Sequence, residues 1–597
     1  MKIIYSLILF LSSQVLLGQA IATGQFGSNN FTWNQNSNGL MFYNFGDGMP
    51  GLEAPTGSNI HAIFSHSLWV AGVDSEGVIH VAAPMYCSSE PFCEYGTGPL
   101  MAAGVPETNS ETEAAFNRFW VIRQSDVDDH MAYFECLNDN GCDVNILFPD
   151  GYIIPEDFIT WPAQGDVDAG YAEYLAPFVD WNDNGIYDAQ NGDYPLVCGN
   201  LTTYIVNNDA SVDHSDSQGL PLGIEVHTTV YTFDSQEDYL FNTLFVQHKI
   251  INRSSNTYDD TYVGTFTDFD LGNPNDDYIG TDVQRSMLYV YNGNETDGPS
   301  SSGPGYGSDL GVLGIKYFDG PSKDANGQDD QPLSPEYDTY GNQASGWGDD
   351  VVDNERLGLA YALAFNNPGG GFPPSTTDPA SPVEFYNYMT GVWKDGIFLT
   401  HGGNGYSPFN EFTTRYMYPG LTDPLNEGTD GETPIEENWT EETAGNPPGD
   451  RRMMGSSGPF TFAPGAVQYF DYAVIFARDS HVPEEEPLET LRTYADQVVG
   501  MQCGILPEVV VSNRDVIFDG IVLNVFPNPA QDRFVIETGS TLEGRYSVTD
   551  LLGRTILQGN LQGNRTEISS THFAEGIYLV RIESEGKVAV KKLVVKK

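Results

Sequence analysis

The chain has 597 residues, with 83 acidic side chains against 26 basic ones and a formal net charge of -57. Such a length exceeds one compact core and suggests about three to five folding units. So negative a field repels nucleic acid and anionic membrane surfaces, excludes nucleic acid as a partner and favours cations.

The N-terminus, MKIIYSLILFLSSQVLLGQA, carries Lys2, an apolar run from Ile3 to Leu17 and small residues at Gly18 and Ala20. This pattern predicts a signal peptide over 1–20. The run is shorter than the roughly 18 to 20 residues a membrane span needs, and no later stretch is long and apolar enough, so no transmembrane segment is expected. With export to an oxidising compartment, the even set Cys87, Cys93, Cys136, Cys142, Cys198 and Cys503 suggests disulfides. Cys87 with Cys93 and Cys136 with Cys142 would each close a short loop, although cross-pairing is equally legal.

Most of the body reads as strands separated by Gly- and Pro-rich turns. The runs IHAIFSHSLWV (60–70) and LFNTLFVQHKII (240–251) are rich in β-branched and aromatic residues, and Phe470, Tyr472, Val474 and Phe476 alternate at a period of two. Helices are few. Ser381-Pro382-Val383-Glu384 forms a capping box ahead of a short helix, and Leu488, Leu491, Ala495, Val498 and Val499 form a helical stripe between Pro487 and Gly500. The loops from about 292 to 348 are long and polar, which marks them as functional or as ordered by something else.

The stretch DWNDNGIYDAQNGDYP (180–195) fits much of a calcium-loop template. Asp180, Asn182 and Asn184 take alternate positions, Gly185 sits at the sharp turn, Ile186 offers a carbonyl and Asp188 follows. Position twelve is Asn191 where a bidentate Glu is expected, so Asp193 is the substitute carboxylate. The flanks are not amphipathic helices, which argues against an EF-hand. Two readings stand: an oxygen-rich calcium loop within a β-protein, or an Asx-rich turn without an ion.

A second acidic run, TDFDLGNPNDDYIGTD, offers Asp268, Asp270, Asp276, Asp277 and Asp282. It reads as a further cation site, as a carboxylate pair for glycoside hydrolysis, or as a solvated loop. Arg451 and Arg452 stand out in so acidic a chain and read first as ion-pair partners. His227 and His248 lie in strand-like runs as packed histidines. Trp181, Trp347, Trp393 and Trp439 are either sugar platforms or core. Zinc-protease HExxH, hydrolase GxSxG and phosphate-loop motifs are absent from the sequence.

The composition breaks near residue 520. From Ile521 to Lys597 there are ten basic and eight acidic residues, a net of +2, so the preceding 520 residues carry -59. Regular alternation follows, with Tyr578, Val580 and Ile582 on one strand face, as in a small antiparallel sandwich of about 75 residues. Pro527-Asn528-Pro529, Asp550-x-x-Gly553, Gly576-Ile577-Tyr578 and Lys591-Lys592 resemble the C-terminal sorting domain of the type IX secretion system of Bacteroidetes. That resemblance implies an address: export through the type IX machinery, handling by its sortase-like peptidase, and release or attachment to surface lipopolysaccharide. Body segments such as SLWVAGVD, NPPGDRR and GPFTFAPG resemble large secreted proteins with the same tail, a group that implies no mechanism.

The expected fold is mainly β: multiple antiparallel sandwich-like units and an immunoglobulin-like sorting domain. The expected organisation is a signal peptide (1–20), a disulfide-bearing β-rich region (21–200), a β-rich region with long acidic loops (201–503), a linker (504–520) and the sorting domain (521–597). The expected function is a secreted or cell-surface binding or structural component with calcium-stabilised loops and possible glycan partners. The alternative is a secreted polysaccharide hydrolase.

Overall fold

A computed structural model describes residues 20–596, except 90, 103, 105, 140, 333–343, 369–370, 408–411, 435–437, 479, 481–485, 512–522, 528–529, 532, 539–543, 551–554, 562, 574–575 and 585–586. The expected signal peptide therefore lies outside the described residues, apart from its last position.

The principal strands of the body, in chain order, are β1 (His61–Asp74), β2 (Leu201–Asn208), β3 (Ile224–Thr232), β4 (Thr243–Asn252), β5 (Tyr258–Phe269), β6 (Asp277–Asp282), β7 (Met287–Asn292), β8 (Gly311–Tyr317), β9 (Tyr361–Phe365), β10 (Arg451–Phe462) and β11 (Val467–Arg478). They form two antiparallel sheets. One runs β1-β5-β10-β9, extended beyond β1 by Leu52–Glu53, Thr32–Asn36 and Thr23–Gly27. The other runs β6-β7-β8-β11-β4-β3-β2 and ends on Gly96–Thr97. The body is therefore mainly β, as its alternating sequence predicts. Strands from both sides of residue 200 share each sheet, because β1 pairs β5 and Trp120–Arg123 pairs β2.

The alternation in β11 shows how sequence becomes layers. Phe470, Tyr472, Val474 and Phe476 enter the core between the sheets, while Ala473, Ile475 and Ala477 face the opposite side. The two alanines on that outer face leave room for a helix, α3 (Pro487–Gln497), whose Leu491, Tyr494 and Ala495 close over it, followed by Val498. This is the stripe read from sequence. The capping-box segment likewise forms α2 (Pro382–Met389), although here Glu384 accepts from the Ala380 N–H and the Ser381 side chain makes no cap bond. Phe385 of α2 packs on Trp69, which stacks on Phe266 at 5.4 Å, covering the outer face of the first sheet. A 15-residue helix, α1 (Gln124–Asn138), has no side-chain cap at its start and buries Val127, His130 and Phe134.

The inter-sheet core also holds polar side chains in satisfied pairs. His66 bonds Thr267 Oγ1 at 2.9 Å and the Tyr472 hydroxyl at 2.8 Å, and His248 bonds Thr228 Oγ1 at 2.9 Å. Burial lowers both imidazoles to a pKa of about 3, so they are neutral. His227 is buried against Glu225, in keeping with the packed reading of these residues.

Three disulfides form: Cys87–Cys93, Cys136–Cys142 and Cys198–Cys503. The third ties the segment after α3 to the approach of β2. Beyond it the chain stays against the body. Glu508 pairs Lys249, and Val509–Val511 adds a parallel strand beside Phe178–Asp180.

The tail is a separate two-sheet sandwich. Its strands are β12 (Leu523–Phe526), β13 (Arg533–Thr538), β14 (Arg545–Asp550), β15 (Thr555–Asn560), β16 (Arg565–Ser569), β17 (Gly576–Ser584) and β18 (Lys587–Val595). They order as β12-β13-β16 and β15-β14-β17-β18 around Phe534, Ile536, Val548, Ile568, Val580, Ile582 and Leu593. Among the described residues no helix is long and apolar enough to cross a membrane.

Candidate cation sites and the tail motif

In the 180–195 loop, strand Phe178–Asp180 delivers Asp180, 1% exposed, to the start of the turn. Its two carboxylate oxygens accept from the N–H groups of Asn184 (3.2 Å) and Gly185 (2.6 Å). Asp183 (φ 63°) and Gly185 (φ 76°) adopt the left-handed backbone this tight turn requires. Asn184 Oδ1 accepts from the Ile186 N–H at 2.7 Å, and Asn182, Asn184 and Ile186 are exposed. Asp188 caps the next turn through the Gln190 N–H. Asp193, fully buried, accepts from the N–H groups of Trp181 (2.8 Å) and Asp188 (2.7 Å). Burial, aided by Asp180 and Asp188 and opposed by those backbone bonds, raises the Asp193 pKa to about 6. The predicted loop residues are thus gathered in one compact turn. Among the described residues, Asp180, Asp188 and Asp193 do not form a triad close enough to share one ion.

The second acidic run is divided by the fold. Asp282 leaves it for α3, where Arg285 (3.2 Å) and Arg492 (2.9 Å) pair with its carboxylate. Asp276 is held by Asn294 Nδ2 at 2.8 Å. Asp268 and Asp270, at the end of β5, come together and are joined by Asp450 at the start of β10. One carboxylate oxygen from each lies within 4.8 Å of the other two. Asp268, Asp270, Asp276 and Asp277 are all 6% exposed or less, so this run is no solvated loop. The regular pairing of β5 with β10 sets Asp268 opposite Arg452, a contact that local spacing cannot reveal.

Arg452 is the cation of this cluster. Its guanidinium donates to Asp268 Oδ2 at 3.2 Å, to Asp450 Oδ1 at 3.4 Å and to the Tyr86 hydroxyl at 2.6 Å, and it lies 3.5 Å from Asp378. Tyr86 in turn donates to Asp268 Oδ2 at 2.7 Å. Asp216 fixes this tyrosine by accepting from the backbone N–H groups of Met85, Tyr86 and Cys87 beside the first disulfide. Arg451 pairs with Glu441 at 3.0 Å, so both arginines are ion-pair partners, as their rarity suggested. Burial first, and then Asp450 and Asp378 against the pull of Arg452, pushes Asp268 up to about 7. Asp270 is raised well above the usual carboxylate range by burial and by Asp268. Sequence reasoning missed Tyr86, Asp378 and Asp450. The one signal for Asp450 was its place beside the arginine pair in PPGDRR.

Of the proposed aromatic platforms, Trp393 and Trp439 are 1% exposed or less. The Trp347 indole donates to the Arg356 carbonyl and lies under Lys323, and Trp181 is half-buried.

In the tail, residues spread over the sorting motif meet in the strand pairing. Asp550 pairs Tyr578, Gly576 pairs Val595, and Ala530, next in sequence after Pro-Asn-Pro, bridges to Val595. Tyr578, Val580 and Ile582 do share a buried face. Lys591 and Lys592 lie opposite Val580 and Leu579. Asn528, Pro529 and Gly553 fall outside the described residues, and Pro527 directly follows β12.

Residues 524–596 match the sequence family described as "Secretion system C-terminal sorting domain". This supports the type IX tail, and with it secretion or a cell-surface location. No curated protein matches the chain. One similar solved structure is a polysaccharide lyase, at 9% identity and a TM-score of 0.17, covering 62% of this chain and 34% of that one. This chain spans about a third of that structure's length, and at that score the likeness carries no argument.

Proposed function

We propose that the tail delivers an acidic β-sandwich body to the cell surface or medium, where the body acts as a binding or structural component with calcium-stabilised loops. The observation that carries the non-catalytic reading is burial. Asp268 and Asp270, two acids of the run that alternatively reads as a pair for glycoside hydrolysis, are 3% and 6% exposed, shut in beside Tyr86 and Arg452. A hydrolase must place two carboxylates on either side of a bond in an accessible polymer, beside open sugar-binding surfaces. Here Trp393 and Trp439 are spent on the core.

The calcium part of the proposal rests on the 180–195 loop. Asp180, Asn182, Asn184, Asp188 and Asp193, with the Ile186 carbonyl, supply only oxygen donors, the ligand type calcium takes. Asp183 and Gly185 take the left-handed backbone that turns the chain between Asp180 and Asp188, and an ion bound there draws Asp180, Asp188 and Asp193 closer than they stand in the structure. The partners proposed are the type IX machinery and its sortase-like peptidase during export, then surface lipopolysaccharide or glycans. A glycan array and a polysaccharide hydrolysis screen on the purified full chain test the reading. Binding without turnover supports it, and release of sugar products from any polysaccharide overturns it.

A further inference from the structure

The carboxylates at the end of β5 are unusual because they are buried and short of partners, and they stand beside a half-buried one at the start of β10. Asp268 is 3% exposed. Its Oδ2 serves Tyr86 and Arg452, while its Oδ1 is buried and accepts no hydrogen bond. Asp270 takes the Ser302 hydroxyl on Oδ2 at 3.2 Å. Asp450 takes Asn367 Nδ2 on Oδ2 at 2.5 Å and faces Arg452 with Oδ1. Nearby Asp277, fully buried, holds the Leu271 N–H on Oδ2 at 3.1 Å and also has an unpartnered Oδ1. Leaving a buried charged oxygen without a donor costs several kcal/mol in principle, and natural folds relieve that with a proton, a donor or a metal ion.

Geometry favours the ion. Two oxygens bound to one calcium at about 2.4 Å each can be no farther apart than about 4.8 Å. Asp268, Asp270 and Asp450 meet that condition mutually. The donors are all oxygens, which selects a hard cation. Asp268, Asp378 and Asp450 pair with the single guanidinium of Arg452 and Asp270 lies against Asp268 and Asp450, so a divalent ion offsets negative charge that one guanidinium does not.

We propose that Asp268, Asp270 and Asp450 form a second, buried site for calcium, distinct from the 180–195 loop. The ion joins the ends of two neighbouring strands. Through Asp270 and Ser302 it also braces part of the long polar loop after β7. That loop is otherwise pinned by Asp297, which accepts from the N–H groups of Asn273 (3.1 Å) and Tyr306 (2.7 Å). A cation is thus the ordering element that the loop's length and polarity called for.

The test counts ions and follows the loop. It uses the purified full chain, stripped with chelator and dialysed against calcium, with magnesium as the control ion. D268N keeps the shape of the side chain and binds one calcium ion fewer than wild type, whereas D180N loses a different ion and leaves this one in place. Hydrogen exchange over 297–307 slows on calcium addition in wild type and in D180N, and does not change in D268N. If D268N fails to fold, D450N, at the half-buried rim, carries the same expectation. A D268N or D450N chain that keeps the wild-type calcium content overturns the proposal and leaves the carboxylates held by protons. Loss of an ion in D268N but not in D180N keeps this site and removes the loop site of the proposed function.

Discussion

Cys198 and Cys503 are separated by 305 residues, whereas the other two disulfides each span six. The difference sets a large gap in what each bond contributes. Loop-closure entropy removed from the unfolded chain gives about 6 kcal/mol for the long crosslink and about 2 kcal/mol for each short one. The long crosslink also acts where the native chain needs holding. Cys198 sits in the cluster of Tyr231, Phe233 and Phe245 under α3, and the Cys503 N–H donates to the Tyr231 hydroxyl at 3.0 Å. The double variant C198A/C503A is expected to lower the denaturant midpoint of the body far more than C136A/C142A. Both are followed by tryptophan fluorescence under non-reducing conditions. Detachment of α3 would show as early proteolysis near residues 498–508. If the two double variants lose stability equally, the entropy reasoning fails for this protein.

Other consequences are open to direct measurement. Asp471 on β11 is 5% exposed, its Oδ1 accepts no hydrogen bond, and burial followed by the Asp319 charge raises its pKa to about 7. Its folded pKa is above its unfolded one, so its stabilisation is fully present below about pH 4 and lost as pH rises through about 7. A rise of that size amounts to about 4 kcal/mol. D471N should flatten thermal stability across that window by that order, and an unchanged pH profile would refute the burial argument. Leu491, fully buried on the sheet-facing side of α3, should cost about 2 to 5 kcal/mol on replacement by alanine, read as a fall in melting temperature; a loss below about 1 kcal/mol would show that α3 is loosely held. Deleting 521–597 should trap the chain in the periplasm, and normal export of the truncated form would remove the address. Peptide mapping without reduction should find no free thiol at Cys87, Cys93, Cys136 or Cys142.

Much of the fold was written in local pattern. The period of two in Phe470–Phe476 sorts directly into core-facing and helix-facing sides, and the Leu491–Val498 stripe forms the helix it predicts. Helix α1 was not legible. Arg123 offers no capping side chain, and the polar face of QSDVDDHMAYFECLN hides a narrow buried stripe. The candidate sites divide along the same line. The 180–195 loop is contiguous, so spacing alone gathers its residues. The buried triad needs Asp450, brought from 180 residues beyond Asp270 by the pairing of β5 with β10, and no window of sequence contains both. Asp282 was grouped with Asp268 by proximity in the chain. The β6–β7 hairpin instead carries it to Arg285 and Arg492.

The central question for this molecule is whether cations hold its acidic body together. Thermal unfolding of the purified full chain, in chelator and then in millimolar calcium, tests this most directly. A site that binds only the folded chain, at a free ion concentration tenfold above its dissociation constant, contributes about 1.4 kcal/mol. The melting temperature should therefore rise in calcium, and rise less in D180N and in D268N. A melting temperature that calcium does not move would contradict the account.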